Sequence, residues 1–128
     1  MRARLLRYLA EKKRRESNAF HAYIERLRAR FPGYTVVLFG SRARGDEEPV
    51  SDYDVALIVP REVCDKRLQV AEEARRLRGP GESFSLDLLV LCADELGDEI
   101  TRKMLEHCIV LHDGLGVADR LPYSRRER

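Results

Sequence analysis

The chain has 128 residues, 36% charged and 44% in the hydrophobic set, with a formal net charge of +2. That length suits one domain with a real core, and the apolar share excludes a disordered polyampholyte. The strongest apolar runs, at 35–39 and 55–59, are strand-sized and far short of the about 20 residues of a membrane helix, and no secretory leader pattern opens the chain.

Residues 3–30 read as a helix. Leu5, Leu6 and Leu9 form one patch, and Phe20, Ile24, Leu27 and Phe31 recur on a single helical stripe. The polar stretch 11–18 between them either carries the helix across solvent or breaks it near Ser17, and Pro32-Gly33 ends it. Residues 34–39 (YTVVLF) predict a buried strand, 40–49 a loop with room for a helical turn, and 53–59 (YDVALIV) a second strand stopped by Pro60. A helix over 61–78 would bury Val63, Val70, Ala74 and Leu77, with acids at its start and arginines at its end, before Gly79-Pro80-Gly81. Residues 84–91 (FSLDLLVL) predict a third strand. Asp94 can cap a helix to about Cys108 with Ile100, Met104 and Cys108 inward. Residues 109–111 suit a short fourth strand, and 116–128 read as a flexible tail. Helices between strands make this an α/β chain, one domain over 1–128.

Charge is segregated along it. Residues 1–30 carry ten Lys/Arg against three acids, 31–118 carry ten against seventeen, and the remainder four against two. A basic amino-terminal arm on an acidic body predicts contact with something anionic, or simply a solvated helix face. Cys64, Cys92 and Cys108 lie far apart without a CxxC pair, which predicts buried free thiols in a reducing, cytoplasmic setting. Gln69 and Asn18 are the only side-chain amides beside abundant Arg and Glu, a composition that points toward a thermophile. His21, His107 and His112 show no metal-ligand spacing, and Tyr8 and Tyr23 on the basic helix suit packing better than base stacking.

Three carboxylates occupy strand positions. Asp52 and Asp54, two apart at the start of the second strand, project to one face, and Asp87 within the third can join them if the strands are neighbours. Crowded carboxylates raise one another's pKa values, and a divalent cation relieves the repulsion. Oxygen ligands without histidine nearby favour Mg²⁺ or Mn²⁺ over zinc. Asp52 alone is as readily a turn residue, whereas a lone acid in FSLDLLVL is costly to bury unpaired. After the first strand comes Gly40-Ser41-Arg42-Ala43-Arg44-Gly45. Gly40 permits close approach of a ligand, backbone N–H groups and the Ser41 hydroxyl can hold phosphate oxygens, and Arg42 and Arg44 add cationic donors. Gly-Ser after a strand is, alone, an ordinary turn, and no GxxxxGK[ST] loop is present.

The combination is more specific. Gly40-Ser41, ten residues, Asp52-x-Asp54 and a later strand Asp resemble the nucleotidyltransferase superfamily of DNA polymerase beta. More narrowly, GSRARGDEEPVSDYDVALIV resembles the minimal nucleotidyltransferases, over roughly two-thirds of the chain from about Thr35 through EHCIVLHDG to Asp113. The resemblance implies a small mixed sheet of three to four strands with helices mainly on one face. It also implies a triphosphate-binding Gly40-Ser41 loop, and Asp52, Asp54 and Asp87 holding two Mg²⁺, with Asp87 the third and shortest match. Ser51 matches the residue that commonly precedes the first Asp. The basic helix at 1–30 is longer than a minimal domain of that family requires, and no second, acceptor-binding domain like that of larger relatives is expected.

Stand-alone members of that family work with HEPN-domain toxins, so the resemblance implies AMP transfer from ATP to a partner tyrosine, an antitoxin role. Asp87 is the natural general base. Alternatives are a non-catalytic antitoxin that acts by docking, and a transferase acting on a small molecule or nucleic acid. The acidic stretch Asp46, Glu47 and Glu48 argues against nucleic acid along the body, although the arm could contact one.

Overall fold

The computed structural model describes residues 2–46, 52–122 and 124–127. Five strands form one sheet in the order β3-β2-β1-β4-β5. The central β1 (Thr35–Phe39) runs antiparallel to both β2 (Tyr53–Val59) and β4 (Ile109–Asp113). β3 (Leu86–Cys92) is parallel to β2, and the two-residue β5 (Arg125–Arg126) is parallel to β4. The mixed sheet is as expected, with one strand more.

Alternation along the strands makes two cores. Val36, Leu38, Val55, Leu57, Val59, Leu88 and Val90 face the two longest helices, α1 (Arg2–Arg30) and α3 (Arg67–Arg76). Val37, Ala56, Ile58, Leu91 and Val110 face the other way, under Leu96, Leu105, Cys108, Val117, Ala118 and Leu121. The longer helices therefore share one face, and short turns cover the other.

α1 runs unbroken through its polar middle. Its carboxy-terminal half docks through Phe20, Tyr23, Ile24 and Leu27, and the Tyr23 hydroxyl donates 2.8 Å to the Ala74 carbonyl of α3. Burial pushes the Tyr23 pKa up to about 12, as befits a phenol kept for packing. Phe20 stacks on Tyr53 at 4.0 Å. Because α1 runs back along β1, residues 2–15 project beyond that end of the sheet, exposed throughout, for roughly 20 Å.

Four expectations need correction. Residues 61–78 split into a 3-10 stretch (Arg61–Lys66) and α3. The helix begun at Asp94 also breaks, into a 3-10 turn (Ala93–Gly97) and the short α4 (Glu99–Met104). Extended backbone at Asp98 resets the helical phase, so Ile100 is 84% exposed and Thr101 and Leu105 turn inward. Residues 117–121 pack onto the body where a flexible tail was expected. Asp113 accepts hydrogen bonds from the Thr35 hydroxyl and from the amides of Val117 and Ala118. Burial pushes its carboxyl up, but these donors outweigh it and hold the pKa below the ordinary carboxylate value. The turn so fixed buries Val117, Ala118 and Leu121. Finally, Cys64 and Cys92 form a disulfide between the 3-10 stretch and the end of β3, leaving only Cys108 as a buried free thiol, its pKa pushed by burial to about 11. Two of the three thiols that argued for a reducing compartment are thus joined.

Candidate active site

The carboxylates gather where the chain turns out of β1. Phe39 pairs with Asp54 across the antiparallel β1–β2 ladder, and Asp54 pairs with Asp87 across the parallel β2–β3 ladder. Asp52 lies two residues before Asp54 and so shares its face, the one opposite Tyr53. All three stand at one end of the sheet, Asp54 half-buried and Asp52 and Asp87 exposed.

Gly40 opens α2 (Gly40–Arg44) with φ +75°. A Cβ there would fall inside the Asp54 carboxylate. Only glycine lets the backbone both adopt this left-handed conformation and lie against the acid. Ser41 follows, half-buried, its carbonyl accepting the Gly45 and Asp46 amides. Burial raises the Asp54 pKa, the charges of Asp87 and Asp52 raise it further, and Arg44 opposes them. Three other residues singled out in the sequence therefore act on Asp54.

Arg42 does not join them. Its guanidinium lies 4.0 Å over the Tyr53 ring and 3.7 Å from Glu16 of α1, which turns it to the helical face of the sheet as a tie between α2 and α1. Arg44 stays at the exposed mouth, 3.4 Å from Asp46. Ser51, Glu47 and Glu48 lie outside the described residues. Two basic side chains that the sequence did not place in the site, His107 and Arg125, reach the flank of α2. Arg125 was signalled only by the basic tail, and His107 by nothing in its spacing.

Among the described residues no group of three His, Cys, Asp or Glu side chains is positioned to hold an ion as it stands. The donor set still suits a hard divalent cation. It offers oxygen ligands alone, from neighbouring strands, with a mutual repulsion at Asp54 that such a cation removes.

A glycine-led turn against a strand carboxylate, with a second acid on the adjoining strand, defines a class of site suited to a phosphorylated ligand and a divalent cation. The Nucleotidyltransferase domain family model matches residues 22–117, so the chain belongs to the nucleotidyltransferase family. A crystal structure from Sulfolobus solfataricus, itself a proposed nucleotidyltransferase, is 25% identical with a TM-score of 0.51, covering 68% of this chain and 76% of that one. No curated protein matches the chain. The match begins inside α1, so the projecting arm lies outside the family's common part. Among the described residues no helix is long and apolar enough to cross a membrane.

Proposed function

We propose that this nucleotidyltransferase transfers AMP from ATP to a hydroxyl group, namely a tyrosine of a HEPN-type partner. The observation that carries the transfer chemistry is the contact between Gly40 and Asp54, with Asp54 beside Asp87. It brings a glycine-led turn and paired acids to one place.

Asp52, Asp54 and Asp87 are the residues that would hold Mg²⁺ or Mn²⁺, two ions by family resemblance. Such ions, when bound, lower the pKa of the attacking hydroxyl and stabilise charge building on the leaving group. Ser41 donates to a phosphate oxygen and holds the triphosphate in register. Asp87, exposed at the mouth, accepts the acceptor's proton as its oxygen attacks the α-phosphorus in line. The bond from that phosphorus to the bridging oxygen breaks, and pyrophosphate departs with the electron pair. Positioning and charge do most of the work.

Ser41→Ala removes one charge-assisted hydrogen bond of about 1.5–3 kcal/mol. Calorimetry should therefore find ATP binding about tenfold to a hundredfold weaker. Unchanged affinity with unchanged turnover would take Ser41 out of the site.

The partner reading draws on the arm. Leu5, Leu6, Tyr8 and Leu9 are 49–61% exposed, and Lys12, Lys13, Arg14 and Arg15 are exposed beside them. An apolar strip edged with cations suits an acidic protein surface, and it overhangs the end of the sheet that carries the carboxylates. The K12E/K13E/R14E/R15E variant should slow association with the partner, mainly through the on-rate, and leave ATP binding unchanged. Duplex binding by the wild type with a log–log salt slope of about −0.9 per phosphate, lost in that variant, would instead assign the arm to nucleic acid.

A further inference from the structure

Among the described residues, the exposed large apolar side chains lie on helices with one exception. Leu5, Leu6, Tyr8 and Leu9 belong to the arm, Leu68 to α3 and Ile100 to α4, whereas Leu89 stands in the sheet, 36% exposed. It lies in the edge strand β3, two residues beyond Asp87 and on the same face. Ser85, Asp87 and Leu89 are exposed in turn, while Phe84, Leu88 and Val90 on the other face are buried against the helices. Cover on the carboxylate face of β3 begins only at Leu91, which is buried with Leu96. Leu89 is thus left open between the acids and the turns. Its partner across the ladder, Ala56, adds no bulk beside it.

The open edge of β3 does not account for this leucine. Arg75 Nη2 donates to the Leu88 carbonyl at 3.3 Å, and Glu95 accepts the Cys92 amide at 2.8 Å. A strand laid alongside would meet groups already bonded. What β3 offers is its face.

We propose that Leu89 determines which acceptor the site takes: it carries the aromatic ring of a phenol whose hydroxyl lies at Asp87, and so selects tyrosine over serine and threonine. The proposal rests on the transfer reading above. Same-face side chains on a strand stand about 6.6 Å apart, which matches the length of a tyrosine side chain from Cβ to the hydroxyl. A tyrosine lying along β3 therefore covers Leu89 with its ring while its hydroxyl reaches Asp87. There the phenolic oxygen bonds to the α-phosphorus and its proton passes to Asp87. The bond to the bridging oxygen breaks, and its electron pair leaves on pyrophosphate. A serine hydroxyl brought to the same place leaves Leu89 in water, so the leucine adds nothing to its binding. An aliphatic contact of this kind discriminates between substrates by about tenfold or more.

N-acetyltyrosinamide and N-acetylserinamide, as acceptors in Mg²⁺ with α-labelled ATP, test this on the wild type, Leu89→Ala and Leu89→Met. The ratio of kcat/KM for the tyrosine acceptor over the serine acceptor should fall about tenfold in Leu89→Ala, through a higher KM for the tyrosine acceptor. Leu89→Met should restore most of it. A second measurement follows leucine methyl resonances in the protein loaded with Mg²⁺ and a non-hydrolysable ATP analogue. The Leu89 signal, identified by its loss in Leu89→Ala, should shift with the tyrosine acceptor and stay in place with the serine acceptor. An unchanged ratio would overturn the assignment and leave the transfer reading standing. Equal losses with both acceptors, or no Leu89 shift with the tyrosine acceptor, would overturn it as well. A Leu89 shift with the tyrosine acceptor, but α-label on neither acceptor, would keep Leu89 as a phenol-binding residue and remove the transfer reading instead.

Discussion

Asp54→Asn is expected to lower nucleotidyl transfer by about a thousandfold or more while the protein stays folded. The substitution keeps the shape of the side chain against Gly40 and removes a charge from the only half-buried member of the acidic trio. Charge stabilisation by bound metal is worth several kcal/mol, and each 1.36 kcal/mol is tenfold in rate. Stability should move the other way. The Asp54 pKa is raised in the folded chain by burial and by Asp87 and Asp52. Its ionised form therefore opposes folding at neutral pH, and the opposition fades as pH falls through the raised pKa. The asparagine variant should melt higher than the wild type at pH 7, with the difference shrinking toward pH 4. Thermal melts at the two pH values, beside a transfer assay, check both parts. Wild-type turnover would remove Asp54 from the chemistry.

Gly40→Ala should be nearly as damaging, for a different reason. Alanine at φ +75° costs about 1–2 kcal/mol, and its Cβ would push into the Asp54 carboxylate. A displacement near 1 Å at a reacting centre can cost about a hundredfold in rate. Gly45 provides the control, because it has φ +82° and nothing lies within 4 Å of where a methyl group would stand. Gly45→Ala should therefore lose comparable stability and keep its turnover. Equal turnover in the two variants would mean that the contact between Gly40 and Asp54 does not matter to the reaction.

The strands and the acidic cluster were legible because their signals are local. YTVVLF and YDVALIV carry β-branched runs bounded by breakers, and i, i+2 spacing alone puts Asp52 and Asp54 on one face. A lone acid in FSLDLLVL looked costly to bury, but Asp87 is exposed, and the β2–β3 register sets it opposite Asp54. What escaped is non-local. Arg125-Arg126 has no periodicity to mark a strand, and it becomes one only because β4 offers an open edge. Cys64 and Cys92 are 28 residues apart. They meet because parallel pairing sets Val59 opposite Cys92, just before the turn that carries Cys64. Arg42 was legible as a cation beside the turn but not in direction, since its place over Tyr53 depends on α1 supplying Glu16. Ile100 failed because one extended residue, Asp98, shifted the helical phase.

The most direct measurement follows each end of ATP separately. The chain is incubated in Mg²⁺ with the protein encoded beside it and with ATP labelled on either the α- or the γ-phosphate. Transfer of AMP through Asp52, Asp54 and Asp87 puts the α-label on a tyrosine of that partner, releases the γ-label as pyrophosphate, and does neither in Asp54→Asn. Label arriving from the γ-phosphate, or α-label arriving equally in Asp54→Asn, would contradict it.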